Sequence, residues 1–185
     1  MPRLHVALVA PEIHWNTGNA GRTCLAAGAE LHLVDPLGFS LAEREVRRAG
    51  LDYWERVAVR RWSSWPDFES ALPGLGEPYL FSAEADLVYW DVEYPSPVTL
   101  VFGGESRGLS AELRERYRDR LVRLPMAAAD PEGLPGPATA VRSLNLSTSV
   151  GIAVYEVLRQ WRERGLGQAL PGAGGQRIPS GEAPR

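Results

Sequence analysis

The sequence predicts an α/β fold with a mainly parallel sheet flanked by helices. Three observations carry this. Short apolar runs of strand length alternate with helical segments along the chain. One of them, Val98 to Phe102 (VTLVF), is continuous, as expected of a strand covered on both faces. Near the C-terminus Val150, Val154, Val157, Leu158 and Trp161 recur at helical spacing on one face.

The elements follow in order. Leu4 to Val9 is a β-type run ended by Ala10-Pro11. Asn16 or Thr17 caps a helix that runs to about Gly28 and is rich in small residues. Leu31 to Val34 is a second strand, closed by Asp35-Pro36. Ala42 to Gly50 reads as a helix with arginines at 44, 47 and 48. Val57 to Val59 reads as a strand and Trp65 to Leu72 as a helix. Pro78 to Phe81 begins the next strand, and Val98 to Phe102 follows it. Ser110 caps a helix over Ala111 to Tyr117, and Leu121 to Leu124 is a further strand. Ala127 to Val141 is a Pro/Gly/Ala-rich loop before the long helix, Asn145 to Arg164. Beyond it the composition shifts to Gly, Pro, Gln and Ser. This divides the chain into one domain, 1–164, and a flexible tail, 165–185.

Composition narrows the function. With 185 residues, 44% hydrophobic and 23% charged, the chain is an ordinary globule rather than a disordered one. There is no lysine, which excludes a Walker A phosphate loop and Schiff-base chemistry. A single cysteine, Cys24, excludes an internal disulfide framework. No apolar window is long enough for a membrane span and the N-terminus does not read as a signal peptide, so a cytoplasmic protein is expected. Histidines at 5, 14 and 32 show no ligand spacing, so no metal is expected. The net charge of −3 conceals an uneven distribution. Trp62 to Ser106 holds eight acids and no arginine, leaving +5 on the remainder.

Ligands in open parallel sheets sit beyond the carboxyl ends of the strands. Three segments stand there: Pro11 to Arg22, Gly103 to Gly108, and Pro125 to Asn145. In the first, the amides opening the helix form an anion-friendly end, with Arg22 farther in. The second matches G-x-S-x-G at Gly104 to Gly108, but every histidine lies upstream of Ser106, against a hydrolase triad. In the third, Asn145 or Ser147 caps the long helix beside leucines that offer an apolar wall. Trp15 stands out among the six tryptophans because it adjoins Asn16.

Together the segments PEIHWNTGNAGRTC, LVFGGESRGLS and RLPM with SLNLSTSVGIAVYE resemble the three motifs of the SPOUT superfamily of S-adenosylmethionine-dependent RNA methyltransferases. The likeness runs from about Leu4 to Trp161. It is greatest to the compact tRNA (cytidine/uridine-34) 2′-O-methyltransferases, as DPLGFSL and RRAGLDYWE also indicate. The resemblance implies a C-terminal trefoil knot, a homodimer, tRNA as partner, and S-adenosyl-L-methionine held in the knot. By motif match it assigns cofactor contacts to Ala83, Gly103, Leu124 and Ser143. It makes Arg22 the catalytic arginine and gives Asn16, Glu105 and Asn145 the shaping of the active site. Two departures stand out. Gly104 replaces the family's usual proline, which predicts a looser loop, and the segment 127–142 is longer than usual. Methylation of another RNA position and a non-catalytic RNA-binding dimer are the alternatives. The expected RNA surface is an arginine-lined groove across the dimer, drawing on Arg22, the Arg44/Arg47/Arg48 helix, Arg107 and the series from Arg114 to Arg123.

Overall fold

A computed structural model describes residues 3–39, 53–126 and 143–166. The elements are β1 (Leu4–Val9), α1 (His14–Ala27), β2 (Glu30–Val34), β3 (Val59–Trp62) and α2 (Trp65–Leu75). They continue with β4 (Glu77–Phe81), β5 (Val98–Gly103), α3 (Ala111–Arg116), β6 (Leu121–Val122) and α4 (Leu146–Glu163). Single 3-10 turns at Trp54–Arg56, Tyr89–Asp91 and Arg118–Arg120 join them.

The six strands form one sheet in the order β3-β2-β1-β5-β4-β6, and every pairing is parallel. The chain moves outward from β1 to β3, then crosses to the other side. The order therefore reverses between β1 and β5, and the crevice at their carboxyl ends is the natural ligand position.

Alternation along the strands builds a core on each face. Leu4, Val6 and Leu8 of β1 join Leu31, Leu33, Val98, Leu100 and Phe102 beneath α1 and α4. Ala7, Val34, Leu80 and Val101 face the other way, against Phe68, Leu72 and Leu75 of α2 and Leu113 of α3. The apolar stripe of α4 is seated as its spacing predicts, with Val150, Val154, Val157 and Trp161 buried beside α1. Cys24 is buried in α1, where loss of water pushes its thiol up to about 12 and leaves it inert.

Several boundaries differ from the sequence reading. The first helix begins at His14, one turn early, so Asn16 and Thr17 are buried inside it rather than capping it. The third strand is displaced to Val59–Trp62, because it pairs in register with Leu31–Val34 and presents its two arginines on a sheet edge. Pro73 does not stop α2: it falls in the last turn, and the helix continues to Leu75. The last strand ends at Val122, leaving Leu124 past it. The Ala42–Gly50 helix, the 127–142 segment and residues 167–185 of the expected tail lie outside the described residues.

Candidate active site

β1 ends in a tight approach. Ala10 takes φ of 51° and its amide donates to the Val34 carbonyl at 2.9 Å. Its own carbonyl faces Gly104, where an added Cβ would stand 2.4 Å from that oxygen. Gly104 is therefore fitted to its neighbour, and the looser loop expected from the missing proline is not what the geometry shows. Gly103 is equally constrained, since a Cβ there would lie 2.0 Å from the Gly108 carbonyl carbon. Gly108 closes the loop with φ of 62°, and its amide donates to the Gly104 carbonyl at 2.8 Å. The G-x-S-x-G pattern is thus a loop that folds onto itself. The Ser106 hydroxyl and amide both donate to the Glu12 carboxylate. These bonds hold the Glu12 carboxyl below the usual carboxylate range.

The N-terminus of α1 has an extended Ile13 as cap and no side-chain cap of its own. A carboxylate from the β5 loop lies beside it. Glu105 accepts from the amides of Glu12 at 2.7 Å and Ile13 at 3.3 Å, and from Asn16 Nδ2 at 2.8 Å. It holds the amide of the cap residue, the amide before it and a side chain of the first turn, so the anion near this helix end is Glu105 itself.

Asn16 passes the contact on. Glu105 can only accept, so Asn16 must turn its Nδ2 toward it and its Oδ1 away. That Oδ1 accepts from Asn145 Nδ2 at 2.8 Å. Asn145 Oδ1 in turn accepts from the Ser147 amide at 2.9 Å and the Thr148 amide at 3.4 Å, capping α4. Three residues far apart in sequence thus form one directed relay, Glu105–Asn16–Asn145, across the carboxyl ends of β1 and β5. Arg22 is not part of it. It lies farther along α1, exposed, with its guanidinium carbon 4.7 Å from the centre of the Tyr53 ring.

Three of the four residues matched to cofactor contacts share the carboxyl ends of the sheet. Ala83 follows β4, Gly103 ends β5 and Leu124 follows β6, and β5, β4 and β6 are neighbours. Ser143 precedes α4. None of the four side chains carries a charge, and Gly103 has no room for a side chain. That set suits an adenosine held by main-chain groups against apolar walls.

The sequence reading passed over two residues here. Glu12 is the reciprocal partner of the Glu105 loop, and Tyr53 carries Arg22. Both stood inside quoted motifs, but neither has a local signal, because each partner lies in another segment.

The histidines were read as dispersed, yet β1 and β2 bring two together. His5, Glu30 and His32 have potential ligand atoms within 4.8 Å of one another. A second directed relay explains the arrangement. The Trp62 indole only donates, and it meets His32 Nδ1 at 3.1 Å. His32 therefore carries its proton on Nε2 and donates to His5 Nδ1 at 3.0 Å. The two facing nitrogens, His32 Nε2 and His5 Nδ1, are committed to that bond. Among the described residues His5 Nε2 is left buried without a partner. Burial lowers the His32 pKa to about 3, helped by His5 and Arg60. Burial also lowers that of His5, with Glu30 opposing and Arg3 and Arg60 assisting.

The arginine-lined groove also needs correction. Arg114 pairs with Glu84 at 3.1 Å, Arg116 with Glu69 at 2.9 Å and Arg118 with Glu115 at 2.7 Å. Arg120 pairs with Glu77 and Arg164 with Glu93. The acidic stretch thus neutralises much of the series that the charge count had set apart. Arg44, Arg47 and Arg48 lie outside the described residues.

The chain is similar to known proteins. Residues 3–155 match the SpoU rRNA methylase family. The tRNA (cytidine(34)-2′-O)-methyltransferase of Burkholderia cenocepacia strain HI2424 is 42% identical over 164 residues, covering 88% of this chain and 96% of that one. A solved structure concerned with 2-OH methylation of C/U34 on tRNA is 40% identical, with a TM-score of 0.75 over 88% of this chain and 99% of that one. An AdoMet-bound rRNA methyltransferase from Sinorhizobium meliloti is 28% identical, with a TM-score of 0.68 over 85% of this chain and 56% of that one. The chain belongs to the SpoU rRNA methylase family.

Proposed function

We propose, from that membership, that the chain is an S-adenosylmethionine-dependent methyltransferase acting on the ribose 2′-hydroxyl of tRNA nucleotide 34. Relatives about 40% identical over nearly their whole length carry that activity in their names. The structural observation that carries the reading is the Glu105–Asn16–Asn145 relay, which joins the three motif segments at the switch point of the sheet.

Ala83, Gly103, Leu124 and Ser143 would hold the cofactor. S-adenosylmethionine supplies, when bound, a methyl group already activated on a sulfonium. What remains for the protein is alignment and removal of a proton. The relay fixes the ends of α1 and α4 and so the walls between which the ribose aligns. Arg22 holds the phosphate beside the target ribose and stabilises negative charge developing on the 2′-oxygen. A guanidinium stays protonated in proteins, so the hydroxyl proton leaves to water or to the RNA phosphate.

The same reading includes a single catalytic domain over residues 1–164, a C-terminal trefoil knot and a homodimer. Exposed Ile13, Trp15 and Tyr155 on α1 and α4 offer apolar surface to a second copy. Among the described residues no helix is long and apolar enough to cross a membrane. The proposed tRNA substrate supports a cytoplasmic location.

The test is methyl transfer from S-adenosylmethionine to purified tRNA, with the product mapped by mass spectrometry. A 2′-O-methyl group at the wobble nucleotide is the expected result. Methylation at another position, or none, overturns the reading.

A further inference from the structure

Arg22 projects from the exposed side of α1, and no carboxylate pairs with it among the described residues. What meets it is the Tyr53 ring, 4.7 Å from guanidinium carbon to ring centre. Tyr53 is itself buried, and its hydroxyl donates to the Gly18 carbonyl at 3.0 Å. The next residue closes on the same helix. A Cβ added at Gly21 would stand 2.7 Å from Trp54 Cζ3 and 3.5 Å from Val57 Cγ1. Gly21 thus leaves room for Trp54, while Arg22 lies over the Tyr53 ring beside it.

An arginine reaching into solvent loses rotamer freedom when it grips a phosphate. A ring beneath the guanidinium removes part of that freedom beforehand, because the cation is drawn to the ring face. The N–H groups of the guanidinium lie in its own plane. A guanidinium lying flat over a ring keeps them available to two phosphate oxygens.

We infer that Tyr53 is a positioning residue for Arg22: its ring seats the guanidinium, and its bond to the Gly18 carbonyl, with Trp54 seated against Gly21, holds the ring. This rests on the proposed function, in which Arg22 holds an RNA phosphate. Tyr53 touches neither substrate nor cofactor in that role and acts through Arg22 alone.

A double-mutant cycle tests it, read as tRNA affinity and as kcat and KM for methyl transfer. Tyr53→Leu is expected to weaken tRNA binding and kcat/KM by about three- to tenfold. Calorimetry should show S-adenosylmethionine affinity unchanged. Tyr53→Phe keeps the ring and recovers most of the loss. In an Arg22→Ala background, Tyr53→Leu causes no further loss, because its effect runs through the arginine. Losses that multiply in the double variant overturn the inference, as does a Phe variant no better than Leu. Should the Leu variant fail to fold, Gly21→Ala, which displaces Trp54, is expected to give the same non-additivity with Arg22→Ala. The affinity arm stands apart from the chemistry. A wild-type chain that binds tRNA but leaves nucleotide 34 unmethylated overturns the proposed function, while the cycle still decides the role of Tyr53.

Discussion

Two hydrogen-bond relays lie on this sheet, and they differ in where they end. In Glu105–Asn16–Asn145 a carboxylate that can only accept orients each group after it, and the last oxygen caps α4. In Trp62–His32–His5 an indole that can only donate does the same, but the last nitrogen, His5 Nε2, meets nothing among the described residues. The first joins three segments and opens onto a helix end at the ligand crevice. The second joins β1, β2 and β3 and stops in the interior. A buried polar relay therefore marks a functional site only when its far end reaches somewhere a ligand can go. One that stops inside serves register and leaves an acid-sensitive group behind.

The largest expected effect comes from cutting the first relay at its source. Glu105→Ala leaves the Glu12 and Ile13 amides and Asn16 Nδ2 without their acceptor. A loss of about 3–4 kcal/mol in urea denaturation is expected, with methyl transfer abolished. If Glu105→Ala were as stable as wild type, the relay would not organise the crevice.

Acid cuts the second relay. Both histidines have pKa values lowered in the folded chain, His32 to about 3, so the native state stays neutral while the unfolded chain takes up protons. Their contribution is fully present above pH 6.5 and is lost as pH falls toward the folded values. About 3 kcal/mol is expected to go between pH 6.5 and pH 4. His32→Gln offers the same acceptor and donor as the neutral ring but does not titrate. Its stability should fall less steeply over that range, and an unchanged slope would show that the histidines do not govern it.

Asn145→Asp separates capping from linkage in the first relay. The carboxylate still caps α4 but has no N–H to give Asn16. Stability within about 1 kcal/mol of wild type is expected, with kcat reduced about tenfold or more. Undiminished turnover would reduce Asn145 to a helix cap.

The smallest effect lies outside both relays. Arg116→Ala removes an exposed pair with Glu69 and should cost less than about 1 kcal/mol. The affinity for tRNA should stay unchanged, since that arginine is already neutralised. A clear loss of affinity would restore the wider arginine groove.

Much of this site was legible in the sequence. Asn16, Glu105 and Asn145 stand in motifs at strand ends, and the structure joins them directly. Arg22 was also singled out, but its setting over Tyr53 was not, because the ring arrives from another segment. Asn16 was misread as a helix cap since Asn, Thr and Gly imitate a helix start. The carboxylate beside that helix end is Glu105, from a remote loop that no local rule supplies. The histidines looked scattered because residues 5 and 32 become neighbours only when β1 and β2 pair. The charge count failed for a related reason. Summing over a stretch ignores that α3 and the following turn lay their arginines against the acids of α2, β4 and the loop after it.

By itself the sequence determined the alternation of strands and helices, the two apolar faces of the sheet and the glycine turn after β5. Each depends on periodicity or on backbone freedom within a few residues. The tertiary structure alone decided which polar groups use one another up: Glu105 at the start of α1, Tyr53 beneath Arg22, Trp62 on His32. A hydrogen bond or a ring contact forms only within a few ångströms, and those distances are set when the packed sheet brings remote segments together.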